Sequence, residues 1–164
     1  MSLELTIHNR QRTRAINLRL LREITTELLI ELLQLDEVEL GVALVGAKEM
    51  ARVNWEFLQH EGSTDVITFD HSEEQLSRKR QRDFPRKICG ELFICVDDAL
   101  VQARSFRTTW PAEVVRYLVH GVLHLCGHDD HRAVARRLMK REENRLLRLL
   151  EKQFSLRSLA KAAR

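Results

Sequence analysis

Residues 111–125 are apolar on almost every side of a helix, with Val114, Val115, Leu118, Val119, Val122, Leu123 and Leu125 spread around the turn. A helix of that kind is buried, so the rest of the chain has to be arranged around it. Pro111 suits its first turn, Glu113 suits its positive end, and Gly127 stops it. The same helix carries His120 and His124. One histidine in a core is usually a hydrogen-bonded packing residue. Two at i and i+4 project from one face, and burying both without partners would be costly.

That spacing lets two ring nitrogens reach one ion at ~2.0–2.1 Å without bending the helix. Four of the seven histidines fall within residues 120–131, and Gly127 lets a later side chain swing back toward the pair. The expected site is therefore one Zn²⁺ held by His120, His124 and either Asp130 or His131. Three protein ligands leave a fourth position for water, as a catalytic site needs. Cys126 sits beside this cluster, but its neighbours Leu123 and Leu125 favour a core position. In the zinc-peptidase pattern H-E-x-x-H the residue after the first histidine is the general base. Gly121 stands there instead, so a base has to come from Asp129, from a distant carboxylate such as Glu91 or Asp65, or from metal-bound hydroxide.

Around the buried helix, period-two alternation predicts a strand over 3–8, an apolar run containing Gly41 predicts a largely buried strand over 38–45, and short strands are expected over 65–69 and 91–96. Helical periodicity predicts helices over 13–34, 47–58, 97–107 and 133–154. Residues 71–87 are polar and basic and contain Pro85, which reads as a mobile loop or hairpin excursion. Residues 155–164 are expected to fray. No repeat or linker divides the 164 residues, so the expectation is a single α+β domain over 1–164, a small mixed four-stranded sheet packed with about five helices.

No apolar run approaches the ~18 residues of a membrane helix, and the first residues lack the pattern of a secretory signal. Three cysteines without a C-x-x-C pair suit a reducing compartment, so a cytoplasmic protein is expected. The net charge is only +3, but cations cluster at Arg78, Lys79, Arg80, Arg82, Arg86 and Lys87 and again beyond Arg132. Such clusters neutralise phosphates and point to a nucleic-acid partner. With 5% aromatic residues, backbone and shape recognition is expected more than base readout.

The block His120-Gly121-Val122-Leu123-His124-Leu125-Cys126-Gly127-His128-Asp129-Asp130 resembles the H-G-x-L-H-L-x-G-Y-D-H hallmark of the YbeY family of bacterial endoribonucleases. Ser63-Thr64-Asp65-Val66-Ile67-Thr68-Phe69 and Gly90-Glu91-Leu92-Phe93-Ile94-Cys95 are similar to two further family blocks, and Asn54 matches an asparagine in the preceding helix. The resemblance implies a small α+β fold with a zinc cleft and cleavage of single-stranded RNA in rRNA maturation, with rRNA or the small ribosomal subunit as partner. The family's third histidine falls on Asp130, with His131 one residue later. His128 takes the usual tyrosine position, Asp70 a proline position, and Leu58 the position of an arginine thought to handle RNA phosphates. The reading from the sequence is a zinc-dependent endoribonuclease with His120, His124 and Asp129 as catalytic candidates and the 78–87 cations as RNA contacts. Its rivals are a zinc-stabilised ribosome-binding factor without catalysis and a metallohydrolase of another substrate.

Overall fold

The computed structural model describes residues 1–72 and 86–162. Its strands are β1 (Ser2–Asn9), β2 (Glu37–Val45), β3 (Val66–Asp70) and β4 (Lys87–Cys95). They form one sheet in the order β1-β2-β4-β3, with β1, β2 and β4 parallel and β3 antiparallel on the edge beside β4. In β2 the residues Val38, Leu40, Val42 and Leu44 are buried while Glu39 is exposed and Gly41 and Ala43 are partly so. That alternation gives the sheet one fully covered face and one lightly covered face.

The covered face packs against α1 (Leu18–Thr26), α3 (Val96–Phe106) and α4 (Trp110–Leu125), and α5 (Ala133–Gln153) packs in turn on α4, all four contributing to the larger core. The helix α2 (Ala47–Leu58) packs on the other face over a small second core of Val45, Met50, Val53, Ile67 and Cys95. The architecture is the mixed four-stranded α+β sheet with five α-helices that the pattern predicts. Among the described residues, no helix is long and apolar enough to cross a membrane.

The central position of α4 follows from its sequence and from two glycines. Val114, Val115, Leu118, Val119, Val122, Leu123 and Leu125 are all fully buried, each burial stabilising by about 1.5–3 kcal/mol before entropy is counted. A Cβ on Gly121 would stand 2.6 Å from Leu92 Cδ2, and one on Gly90 would stand 2.5 Å from the Phe69 carbonyl and 2.6 Å from Leu125 Cδ2. The helix lies that close to β3 and β4 because both positions lack a side chain. Thr109 caps its start, accepting from Ala112 N–H at 3.3 Å.

Two expectations are corrected. The first helix starts at Leu18 rather than residue 13, because the Asn17 side chain accepts from Leu20 N–H at 3.1 Å and caps it there. The preceding turn is held by the buried Gln11 side chain, which donates to the Arg14 carbonyl at 2.7 Å and accepts from Arg14 N–H at 3.0 Å. This helix also passes into a π-helical stretch, Glu27–Leu32, before it ends. The second correction concerns the C-terminal segment, which does not fray over its described part. Leu156–Leu159 forms a 3₁₀ turn whose two leucines are buried, and Ile16 bridges Ala160 while Asn17 N–H donates to the Leu159 carbonyl at 2.8 Å. Two leucines in a ten-residue segment are enough to dock it. Of the expected loop or hairpin excursion, residues 73–85 lie outside the described residues.

Candidate metal centre

The end of α4 sets the geometry of the histidines. Gly127 takes φ 97°, its N–H donates to the His124 carbonyl at 3.0 Å, and His128 N–H donates to the Leu123 carbonyl at 3.0 Å. These two bonds are a Schellman motif, which needs a left-handed residue and therefore favours glycine. The turn brings the His128 carbonyl 3.1 Å from His124 Nδ1. His124 therefore donates from Nδ1 and presents an unprotonated Nε2.

His120 reaches the same arrangement through α5. Its Nδ1 lies 3.1 Å from Glu143 Oε2, which fixes the ring with Nε2 facing His124. The two Nε2 atoms are 3.1 Å apart. Asp130 Oδ2 lies 3.6 Å from His120 Nε2 and 3.5 Å from His124 Nε2. An ion with tetrahedral bonds of ~2.0–2.1 Å requires ligand atoms about 3.3 Å apart, so this triangle is the right size for one. Two imidazoles and one carboxylate suit zinc and other first-row divalent ions.

Glu143 is the residue that the sequence reading missed. It is only 3% exposed, yet it accepts from Arg116 at 2.7 Å, from Lys140 at 3.1 Å and from His120. Burial pushes its carboxyl pKa up, but the three hydrogen bonds together outweigh that and hold it at about 2. The same hydrogen bond raises the pKa of His120, whereas burial and the neighbouring His120 charge lower that of His124. A signal for Glu143 does exist in the sequence. The buried stripe of α5 reads Met139, Glu143, Leu146, Leu147 and Leu150, so a carboxylate interrupts an apolar row at helical spacing.

The other expected residues are spread unevenly. His131 is 89% exposed, with Nε2 3.9 Å from Asp129 Oδ1. It groups with Asp129 and Asp130 rather than with the two helix histidines. Asp129 is exposed, and its Oδ1 accepts from His131 N–H at 2.9 Å, which lowers its pKa. Glu91 lies in β4 on the sheet face opposite α4, 2.9 Å from His71 Nε2. Asp65 instead lines the cleft beside His120, a space of about 340 Å³ also bordered by Phe106, Arg116, Asp130, Arg136 and Lys140. Arg78, Lys79, Arg80 and Arg82 lie outside the described residues. Arg86 and Lys87 do not line this cleft; they pair with Asp36 at 3.4 Å and Glu37 at 2.5 Å at the start of β2. Cys126 is buried in the core.

Leu58, at the position of the family arginine, is 46% exposed on α2. Asn54 is buried, and its side chain donates to the Gly62 carbonyl at 2.9 Å, tying down the loop that leads to Asp65.

Comparison with known proteins agrees with this architecture. A Thermotoga maritima protein solved in solution superimposes with a TM-score of 0.64, covering 91% of this chain and 90% of that one at 22% identity. An endoribonuclease YbeY from Chlorobium luteolum is 32% identical over 148 residues, 90% of this chain and 98% of the relative. Another from Parabacteroides distasonis is 37% identical over 106 residues, 65% and 67% of the two chains. The family model described as endoribonuclease YbeY matches residues 6–151, a span that runs from β1 to the last turn of α5 and takes in the histidine pair, the turn and Glu143, so the chain belongs to the YbeY family.

Proposed function

We propose that this chain is a zinc-dependent endoribonuclease that cleaves single-stranded RNA in rRNA maturation, acting in the cytoplasm on RNA of the small ribosomal subunit. The observation that carries the reading is the triangle of His120 Nε2, His124 Nε2 and Asp130 Oδ2, with edges of 3.1, 3.5 and 3.6 Å, in a chain whose family is named for endoribonuclease activity. His120, His124 and Asp130 would hold the ion, with His131 and Asp129 outside the first ligand set. Once bound, Zn²⁺ supplies Lewis acidity to a water and to the phosphoryl oxygens.

The chain's own groups do the rest. Glu143 and the His128 carbonyl hold both imidazoles in the tautomer that offers Nε2. Asp65, which lines the same cleft as His120 and Asp130, would take a proton from the attacking water, a role the sequence left open between Asp129, Glu91, Asp65 and metal-bound hydroxide. Arg116, Arg136 and Lys140 face the same cleft and neutralise backbone phosphates, which makes binding salt-sensitive.

The test is cleavage of an end-labelled single-stranded RNA by the purified protein beside His124→Ala prepared identically. Cleavage by the wild type that is lost in a folded mutant, and lost on chelation, supports the reading. Equal cleavage by both sinks it, and no cleavage by either shifts the reading to a zinc-stabilised RNA-binding factor.

A further inference from the structure

We propose that the cleft between α3, α4 and α5 is a nucleobase subsite with Phe106 as its stacking wall, taking the base next to the cleaved phosphodiester. This rests on the endoribonuclease reading above. Phe106 is the last residue of α3 and is 68% exposed. A single exposed apolar side chain is ordinary and by itself indicates nothing. Its placement is what distinguishes it. The ring borders the same 340 Å³ space as His120, Asp130 and the three cations Arg116, Arg136 and Lys140. Gln102, one turn earlier on α3, borders it too and offers an amide with both donors and an acceptor.

The backbone sets where Phe106 leaves the helix. Arg107 takes φ 55° immediately after it, and Thr108 N–H closes back onto the Ala103 carbonyl at 3.0 Å. The helix therefore ends in a hydrogen-bonded turn at Phe106, beside the cleft that this residue lines. The exposed aromatic residues Trp55 and Phe57 lie on α2, over the other face of the sheet. The lining also carries Asp65, Glu113, Asp130 and Glu143, and Arg116 and Lys140 are paired with Glu143. Arg136, which donates to the Asp130 backbone carbonyl at 3.1 Å, is thus the charge beside the ring that fits a phosphate, and the occupant is one nucleotide of single-stranded RNA. Base–aromatic stacking contributes through the face of the ring and tolerates any base, with Gln102 free to bias the choice through the base edge.

The experiment uses the full chain with Phe106→Ala and Phe106→Tyr. Each is given a short labelled RNA, copies with a single abasic nucleotide at each position flanking the cut, and a copy carrying 2-aminopurine at those positions. The expected result is a fall in kcat/KM of about tenfold or more for Phe106→Ala, retained efficiency for Phe106→Tyr, and the same loss for the wild type at one abasic position. Phe106→Ala should lose nothing further at that position, and the aminopurine quench on binding should require the ring. Wild-type efficiency in Phe106→Ala, or a loss independent of every abasic position, overturns the subsite. A ring-dependent quench without any cleavage keeps the subsite and removes the nuclease reading; no ring dependence in either assay overturns the subsite whatever the nuclease result.

Discussion

The two histidines of α4 have nearly equal exposure, 28% and 27%, yet they are held by two different kinds of structure. His120 belongs to the seam between α4 and α5, where one buried carboxylate collects hydrogen bonds from three side chains. His124 belongs to the turn after α4, where a backbone carbonyl orients the ring and the neighbouring acidic side chains face solvent. The pKa shifts of the pair run in opposite directions because Glu143 raises that of His120, whereas burial and the charge of His120 lower that of His124. The seam rests on one buried carboxylate, Glu143, whose partners Arg116 and Lys140 reach it from more exposed positions, whereas the turn rests on one backbone conformation at Gly127.

Replacing a proposed ligand tests both halves at once. His124→Ala is expected to abolish metal retention in equilibrium dialysis while leaving the far-ultraviolet circular dichroism unchanged; retained metal would break the proposed site. Glu143→Gln is expected to act on the seam alone, weakening metal affinity by about 10–100-fold. It should also cost the metal-free protein on the order of 3 kcal/mol, because Arg116, Lys140 and His120 lose a buried counter-charge. Denaturant titration reads that cost.

The same carboxylate predicts a pH dependence. Its pKa is lowered from 4.5 to about 2 in the folded protein. Between those values the unfolded chain binds the extra proton, so stability rises with pH there. The Glu143 contribution is fully present above about pH 4.5 and is lost as pH falls toward 2. Chelated wild-type protein should show that slope in acid titrations, and Glu143→Gln should flatten it; equal slopes would remove Glu143 from the account.

In the turn, Gly127→Ala places a Cβ at φ 97°. The expected cost is about 1 kcal/mol with a measurable drop in metal affinity, since the His128 carbonyl moves with the turn. The smallest effect is expected from His131→Ala, whose metal affinity should stay within about twofold of the wild type, against a large loss for Asp130→Ala. Similar losses from both variants would sharpen the turn into a second coordinating group.

How much of this was legible beforehand follows the same division. The histidine pair, the stop at Gly127 and the two alternatives for a third ligand, Asp130 and His131, could be read from spacing, because register along one helix and its turn is local; spacing did not decide between the two. The sheet, too, was readable, from alternation in β1 and from the apolar run of β2. Glu143 was passed over because it lies in a charged helix, between Glu142 and Asn144, where a solvated face is the ordinary reading. Its partner Arg116 comes from 27 residues away, and no local pattern encodes that meeting. The docking of Leu156 and Leu159 was missed for a related reason. Two leucines carry too little periodicity to announce a core, and their turn docks on α4 and α1, both distant in sequence.

The absence of a side chain at Gly121 reaches beyond packing. Leu92 and Thr68 already occupy the space that a side chain there would need. A single change to glutamate would complete the H-E-x-x-H pattern in the letters of the sequence, but it would drive a carboxylate into the sheet. A glutamate at this position could complete the peptidase pattern only if Leu92 and Thr68 gave way, so the same close packing that seats the histidine helix on the sheet also keeps a peptidase base off it.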